Sequence, residues 1–211
     1  PSSLIISGCS QSGKTELVFK LLDRARWMYT VPPKQITYCY SIYQPGFLKY
    51  ERQGVRFHQG LPSIDWFDGK DANLLVIDDL LCEIRQDSTV EEIFTRVSHH
   101  LNLSVVLLVQ NIFAKHLRTI SLNGTYFLFC RSPRDITQFS NFCRQLFGKN
   151  YQFAEESYMD STKKGYSYLF VDCHQTTDDA LRLRMGIFCG EQTYCYLNKN
   201  LYKDRDIVYL D

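Results

Sequence analysis

Gly8-Cys9-Ser10-Gln11-Ser12-Gly13-Lys14-Thr15 decides how this chain folds. The stretch satisfies G-x-x-x-x-G-K-[ST] at every fixed position, and each position has a chemical reason. Gly8 and Gly13 let the backbone curl so that its N–H groups point inward at phosphate oxygens. A helix starting at the end of the loop aims its positive dipole end at the same place. Lys14 reaches the β- and γ-phosphates of a triphosphate, and the Thr15 hydroxyl ligates Mg²⁺. A random chain of this length shows the pattern roughly once in a hundred tries, and the context lowers that further. Leu4-Ile5-Ile6-Ser7 reads as a buried strand leading into the loop. From Thr15 to about Tyr29, Leu17, Val18, Leu21, Leu22 and Ala25 recur at helical spacing. The expected nucleotide contacts are Gly8, Cys9, Ser10, Gln11, Ser12, Gly13, Lys14, Thr15 and Glu16, with ATP and Mg²⁺ as cofactors.

Outward from the loop, short apolar runs alternate with amphipathic stretches, the pattern of βαβ units and a mostly parallel sheet flanked by helices. Pro32-Pro33 stops the first helix. Ile36–Tyr40, Leu74–Ile77, Ser104–Val109, Tyr126–Cys130 and Tyr168–Val171 read as strands, with Val55–Phe57 a short one in a turn-rich stretch from Gln44 to Gly60. Ser88 to about Leu101 reads as a helix, with Ser88 and Glu91 forming a capping box. Asn111 to Ile120 is expected to be helical. Pro133 is placed at the first turn of a helix that runs to about Phe147 and is ended by Gly148. Leu181 to Leu210 alternates weakly and is expected to add antiparallel strands at a sheet edge. The expectation is an α/β P-loop nucleoside triphosphatase fold in a single domain over 1–211, with its core in 1–188 and a C-terminal extension in 189–211.

Two further positions carry chemistry. Asp78-Asp79 follows the apolar run Leu74–Ile77, on a strand expected to neighbour that of the phosphate loop. Asp78 suits the Mg²⁺ shell, and Asp79 suits orienting or deprotonating the attacking water. Gln110 ends the next strand and is the expected sensor distinguishing ATP from ADP. Of Arg96, Arg118, Arg131 and Arg134, which lie near element ends, Arg118 and Arg134 are the leading candidates for an arginine finger acting on a neighbouring subunit's γ-phosphate.

The net charge of +1 argues against a uniformly basic nucleic-acid-coating protein. The 14 Tyr and 14 Phe residues place aromatic side chains at the centre of the core. No run approaches the ~20 apolar residues a membrane helix requires. The eight cysteines are scattered without a C-x-x-C pair, which fits buried thiols in a reducing intracellular compartment better than a disulfide framework or a zinc site.

Taken in order, LIISGCSQSGKT, ITYCYSIYQPGF, LLVIDDL, VSHHLNLSVVLLVQNIF, RTISLNGTYFLFCRSPRD and YSYLFVDC resemble the FtsK–HerA superfamily of DNA-pumping ATPases. Within it, the chain is most similar to the viral genome-packaging branch, that of poxviruses, Maverick/Polinton elements and adintoviruses. The resemblance spans about Leu4 to Phe188. It implies that Lys14 and Thr15 handle phosphates and Mg²⁺, that Asp78-Asp79 is the acidic pair where many relatives carry Asp-Glu, and that Gln110 is the polar sensor. It also implies a homo-oligomeric ring moving double-stranded DNA into a capsid within the infected cell, with a capsid or portal protein as partner. Candidate DNA contacts are Lys163, Lys164, Arg182 and Arg184. Two other readings share the phosphate loop: a nucleotide or small-molecule kinase, and a nucleotide-dependent assembly module without motor activity.

Overall fold

The computed structural model describes residues 1–133 and 136–198. In chain order they form β1 (Ser3–Ser7), α1 (Lys14–Met28), β2 (Gln35–Tyr40), α2 (Phe47–Glu51), β3 (Arg56–Gln59), β4 (Asn73–Asp78), α3 (Leu81–Ile84), α4 (Thr89–Glu92), α5 (Ser98–His100), β5 (Leu103–Val109), α6 (Arg118–Leu122), β6 (Tyr126–Cys130), α7 (Ile136–Phe147), α8 (Tyr151–Ser161), β7 (Tyr168–Asp172), β8 (Leu183–Met185) and β9 (Tyr194–Cys195). The strands make one sheet in the order β3-β2-β4-β5-β1-β6-β7-β8-β9. Neighbours from β3 to β6 run parallel; β7, β8 and β9 are antiparallel additions.

Both faces of the sheet are covered, so the central strands are apolar throughout rather than alternating. Every residue of β4 and of β5 is buried. Alternate side chains feed two cores. On one face Ile6, Val76, Val106, Leu108 and Leu128 pack with Leu17, Val18, Leu21 and Leu22 of α1. On the other, Ile5, Leu75, Leu107, Phe127 and Phe129 meet Ile93, Ile120, Phe139, Phe142 and Tyr158. The α1 stripe is the one its periodicity predicts.

Several local expectations are corrected. The strand carrying Asp78 does not neighbour β1: β5 lies between them. Ser88 forms no side-chain cap; Asp87 Oδ1 instead accepts from the Thr89 N–H at 2.6 Å. The helix from Thr89 also widens into a π-turn over Ile93–Val97, where Thr95 Oγ1 donates back to the Glu91 carbonyl at 2.8 Å. The stretch after β5 begins with an Asx turn, Asn111 Oδ1 accepting from Phe113 N–H at 2.7 Å, so helix starts only at Lys115 and α6 is short. Helix α8 was not expected. Gly148, at φ 52°, does end α7, but a short 3₁₀ turn over Gly148–Asn150 leads straight into α8. At the C-terminus β8 and β9 supply the expected antiparallel edge; the rest of that stretch, 199–210, lies outside the described residues.

Candidate nucleotide-binding site

The site is assembled where three parallel strands end side by side. Ser7 of β1 is in register with Val109 of β5, and Asp78 of β4 with Leu108 of β5. The residues that follow, Gly8, Gln110 and Asp79, therefore stand along one edge of the sheet, with Gln110 between the phosphate loop and the acidic pair. This is the carboxyl end of the strands, where open α/β sheets bind their ligands.

The loop leaves β1 with one more sheet bond, Gly8 N–H to the Val109 carbonyl at 3.2 Å, and then turns. Gln11 at φ 63° and Gly13 at φ 94° take left-handed conformations, which curl the chain back so that Ser12 N–H reaches the Cys9 carbonyl at 3.2 Å. Lys14 Nζ donates to the Gly8 and Cys9 carbonyls at 2.8 and 3.0 Å, tying its ammonium across the loop. Gly8 is required by close approach. A Cβ there would lie 2.5 Å from Ser12 Oγ and 2.7 Å from Cys130 Cβ. The Ser12 hydroxyl is buried beside the Cys130 thiol and has no hydrogen-bond partner of normal geometry among the described residues. Gly13, the residue before α1, offers no side-chain cap, so the first N–H groups of this 15-residue helix are left to bind an anion. Thr15 is half-buried beside them, while Ser10 and Glu16 are exposed at the rim.

Across Gln110, the acidic pair splits by environment. Asp78 is buried, and its Oδ2 accepts from the Tyr38 hydroxyl at 2.7 Å. Burial pushes its carboxyl above the usual carboxylate range; the Tyr38 hydrogen bond and the Lys14 charge work against that, and Asp79 adds to it. Asp79 is exposed, with its backbone at φ 55°. Gln110 is exposed too, and shares a small recess with Gly8, Phe139 and Tyr158.

Of the other sequence candidates, Arg118 opens α6 on the far face of the sheet, exposed and without an ion pair among the described residues. Arg134 lies outside the described residues. Arg182 and Arg184, candidate DNA contacts, both have guanidinium groups engaged within the fold. Arg182 pairs with Asp179 and donates to the Asp172 and His174 carbonyls, each at 3.0 Å. Arg184 pairs with buried Asp172 and covers the Phe170 ring. Lys163 pairs with Asp160 at 2.6 Å, and Lys164 is exposed.

Sequence reasoning missed two contributors, Tyr38 and Tyr158, and considered a third, Arg131, only as an arginine-finger candidate. Tyr38 was read only as part of a strand; its signal was a hydroxyl in a central strand, which demands a partner when buried. Tyr158 accepts from Ser132 N–H at 2.9 Å and donates to the Cys130 carbonyl at 3.0 Å, fixing the chain as it leaves β6 beside the loop. Arg131 holds the segment before β7 by donating to the Lys163 carbonyl at 3.4 Å. No sequence pattern marks the Tyr158 bonds or the Arg131 bond to Lys163.

No protein-family model and no curated protein matches the chain. Solved structures do. The genome packaging NTPase B204 from Sulfolobus turreted icosahedral virus 2, in complex with ATP-gammaS, superposes with a TM-score of 0.54 at 15% identity, covering 83% of this chain and 94% of that one. Its sulfate complex gives 0.53 at 14% identity, covering 83% and 93%. B204, the DNA-packaging ATPase from Sulfolobus turreted icosahedral virus, gives 0.52 at 13% identity, covering 93% of this chain and 97% of that one. At such identities the likeness establishes the fold: a mixed α/β P-loop NTPase sheet with antiparallel C-terminal strands.

Proposed function

We propose that this chain is an ATP-hydrolysing motor that moves double-stranded DNA and packages a viral or virus-like genome into a capsid. The observation that carries the reading is the alignment of three strand ends, which sets a phosphate-binding loop, a polar Gln110 and an acidic pair in a row. The loop amides and the uncapped start of α1 hold the phosphates. Lys14, now bonded to two loop carbonyls, exchanges them for phosphate oxygens. Thr15 and Asp78 are hard oxygen donors of the kind Mg²⁺ takes; they would hold the ion, which would supply charge neutralisation at the phosphates. Asp79, exposed at the strand end, receives the proton of the attacking water or orients it. Gln110, between these groups and the loop, feels whether the γ-phosphate is present.

The structural neighbours named as genome packaging NTPases, one of them with ATP-gammaS bound, support ATP as substrate and packaging as the process. In this reading a ring of subunits grips DNA by its phosphates, so binding is indifferent to base sequence and weakens with salt. An arginine from the adjacent subunit, Arg118 or Arg134, completes each site.

The test is ATP hydrolysis with and without long duplex DNA. DNA-stimulated release of inorganic phosphate is expected. Lys14→Ala, which deletes a charge aimed at the transferred phosphate, is expected to lower turnover by about 10²–10³-fold. Transfer of phosphate to a small-molecule acceptor would identify a kinase instead. Packaging that survives Lys14→Ala would leave an assembly module.

A further inference from the structure

The phosphate loop has a nucleoside side as well as a catalytic side. In the sheet, the acidic pair and Gln110 lie on the β4–β5 side of β1, while β6 and β7 lie on the other. A triphosphate lying across the loop with its reactive end toward Asp79 therefore sends its base toward β6 and β7. What stands there is Tyr166, in the segment Lys163-Lys164-Gly165-Tyr166 between α8 and β7.

Three observations mark this residue. Its ring lies on the loop itself: a Cβ built on Gly13 would meet Tyr166 Cδ1 at 3.0 Å and Cγ at 3.7 Å. The residue is nonetheless 73% exposed, so much of its surface stays open beside the loop. Its backbone sits at φ 61°, a conformation bulky residues rarely adopt. Four described non-glycine residues have positive φ; three of them, Gln11, Asp79 and Tyr166, belong to this site, and strain of this kind concentrates where a function requires it.

The segment is also anchored. Cys9 Sγ of the loop donates to the Arg131 carbonyl at 3.6 Å, and the Arg131 guanidinium donates to the Lys163 carbonyl at 3.4 Å. Ser167 Oγ closes the turn on the Lys164 carbonyl at 2.6 Å. Tyr166 is thereby held relative to the loop by contacts that do not involve its own ring.

We infer that Tyr166 is the nucleobase platform of this site, stacking on the base of a purine nucleoside triphosphate. This rests on the nucleotide-binding reading above. Stacking depends on the π-face and not on the base edge, so ATP and GTP both bind, and the smaller pyrimidines overlap the ring less.

The experiment measures binding of Mg·ATP, Mg·CTP, inorganic Mg·tripolyphosphate and duplex DNA to the full chain and to Tyr166→Ala and Tyr166→Phe. Tyr166→Ala is expected to lose roughly tenfold in ATP affinity, the low end of what one stacked base contributes. It should lose less for CTP and keep its tripolyphosphate and DNA affinity; Tyr166→Phe should bind as wild type. Unchanged tripolyphosphate binding also shows that the variant is folded. The inference is overturned if ATP affinity is unchanged, if ATP and tripolyphosphate weaken together so that Tyr166 only shapes the loop, or if DNA binding alone falls so that the ring contacts nucleic acid. A wild-type chain that binds neither ATP nor tripolyphosphate would overturn the nucleotide-binding reading itself, and this inference with it.

Discussion

A single hydrogen atom separates a working phosphate loop from a blocked one at Gly8. Its side-chain position is already occupied by Ser12 Oγ and by Cys130 Cβ, and the latter, fixed to the backbone, cannot rotate away. Gly8→Ala must push the loop off β6 or push Cys130 into the core. Overpacking of this kind costs about 1–3 kcal/mol, and each kcal/mol lowers the melting temperature by roughly 2–4 °C in a domain of this size. A second effect separates a damaged loop from a merely destabilised protein. A ligand at 100 times its dissociation constant stabilises the wild-type fold by about 2.7 kcal/mol. Calorimetry with and without Mg·ATP should show that upward shift in the wild type and little of it in Gly8→Ala. A full ligand-induced shift in the variant would mean that the loop tolerates the methyl group.

The elements matter to the site because they set which strand ends meet, and β2 shows how. Its Tyr38 is fully buried and spends its hydroxyl on Asp78 at the end of β4. The bond offsets part of the cost of burying that carboxylate and fixes its orientation at the strand end. Tyr38→Phe keeps the ring packing and removes only the donor, leaving Asp78 Oδ2 buried without it, at a cost of about 1–3 kcal/mol. Chemical denaturation should show that loss, and the Mg²⁺ concentration for half-maximal hydrolysis should change with it. Stability loss with unchanged Mg²⁺ dependence would make Tyr38 a purely structural partner. Tyr38 also shows what was legible in the sequence. Strand β2 was readable from Ile36–Tyr40, and α1 from five apolar residues at helical spacing. Helix α8 was not, because it buries Ala154, Ser157, Tyr158 and Ser161, a face whose serines read as solvent-exposed. The phosphate loop could be read because its chemistry is local. The insertion of β5 between β1 and β4 could not: it depends on pairings such as Ser7 with Val109, set by global topology. The same limit hid Tyr166, which reaches Gly13 only after the chain has crossed the sheet.

For the whole molecule, the decisive issue is whether one chain contains a complete site. The described residues bring the Gly8–Thr15 loop, the Asp78-Asp79 pair and Gln110 to one edge of the sheet, but Arg118 opens a helix on the opposite face of the sheet from α1. In the proposed motor such an arginine would serve a neighbour's site, and that arrangement has a distinctive consequence. Lys14→Ala subunits lack a working site but still present Arg118. Arg118→Ala subunits have the site but no finger to offer. Each alone should be nearly inactive, since such an arginine contributes about 10³–10⁵ to turnover. Mixed in one ring, every junction that joins an intact site to an intact arginine is restored. DNA-stimulated hydrolysis should therefore rise above that of either variant and peak near equal proportions. A flat mixing curve with Arg118→Ala inactive would place that arginine within its own subunit's structure. A flat curve with Arg118→Ala fully active would pass the role to Arg134, to be tested by the same mixing. Restoration also requires that sites lie between subunits, so a peak would at once establish a shared interface, as the proposed motor requires.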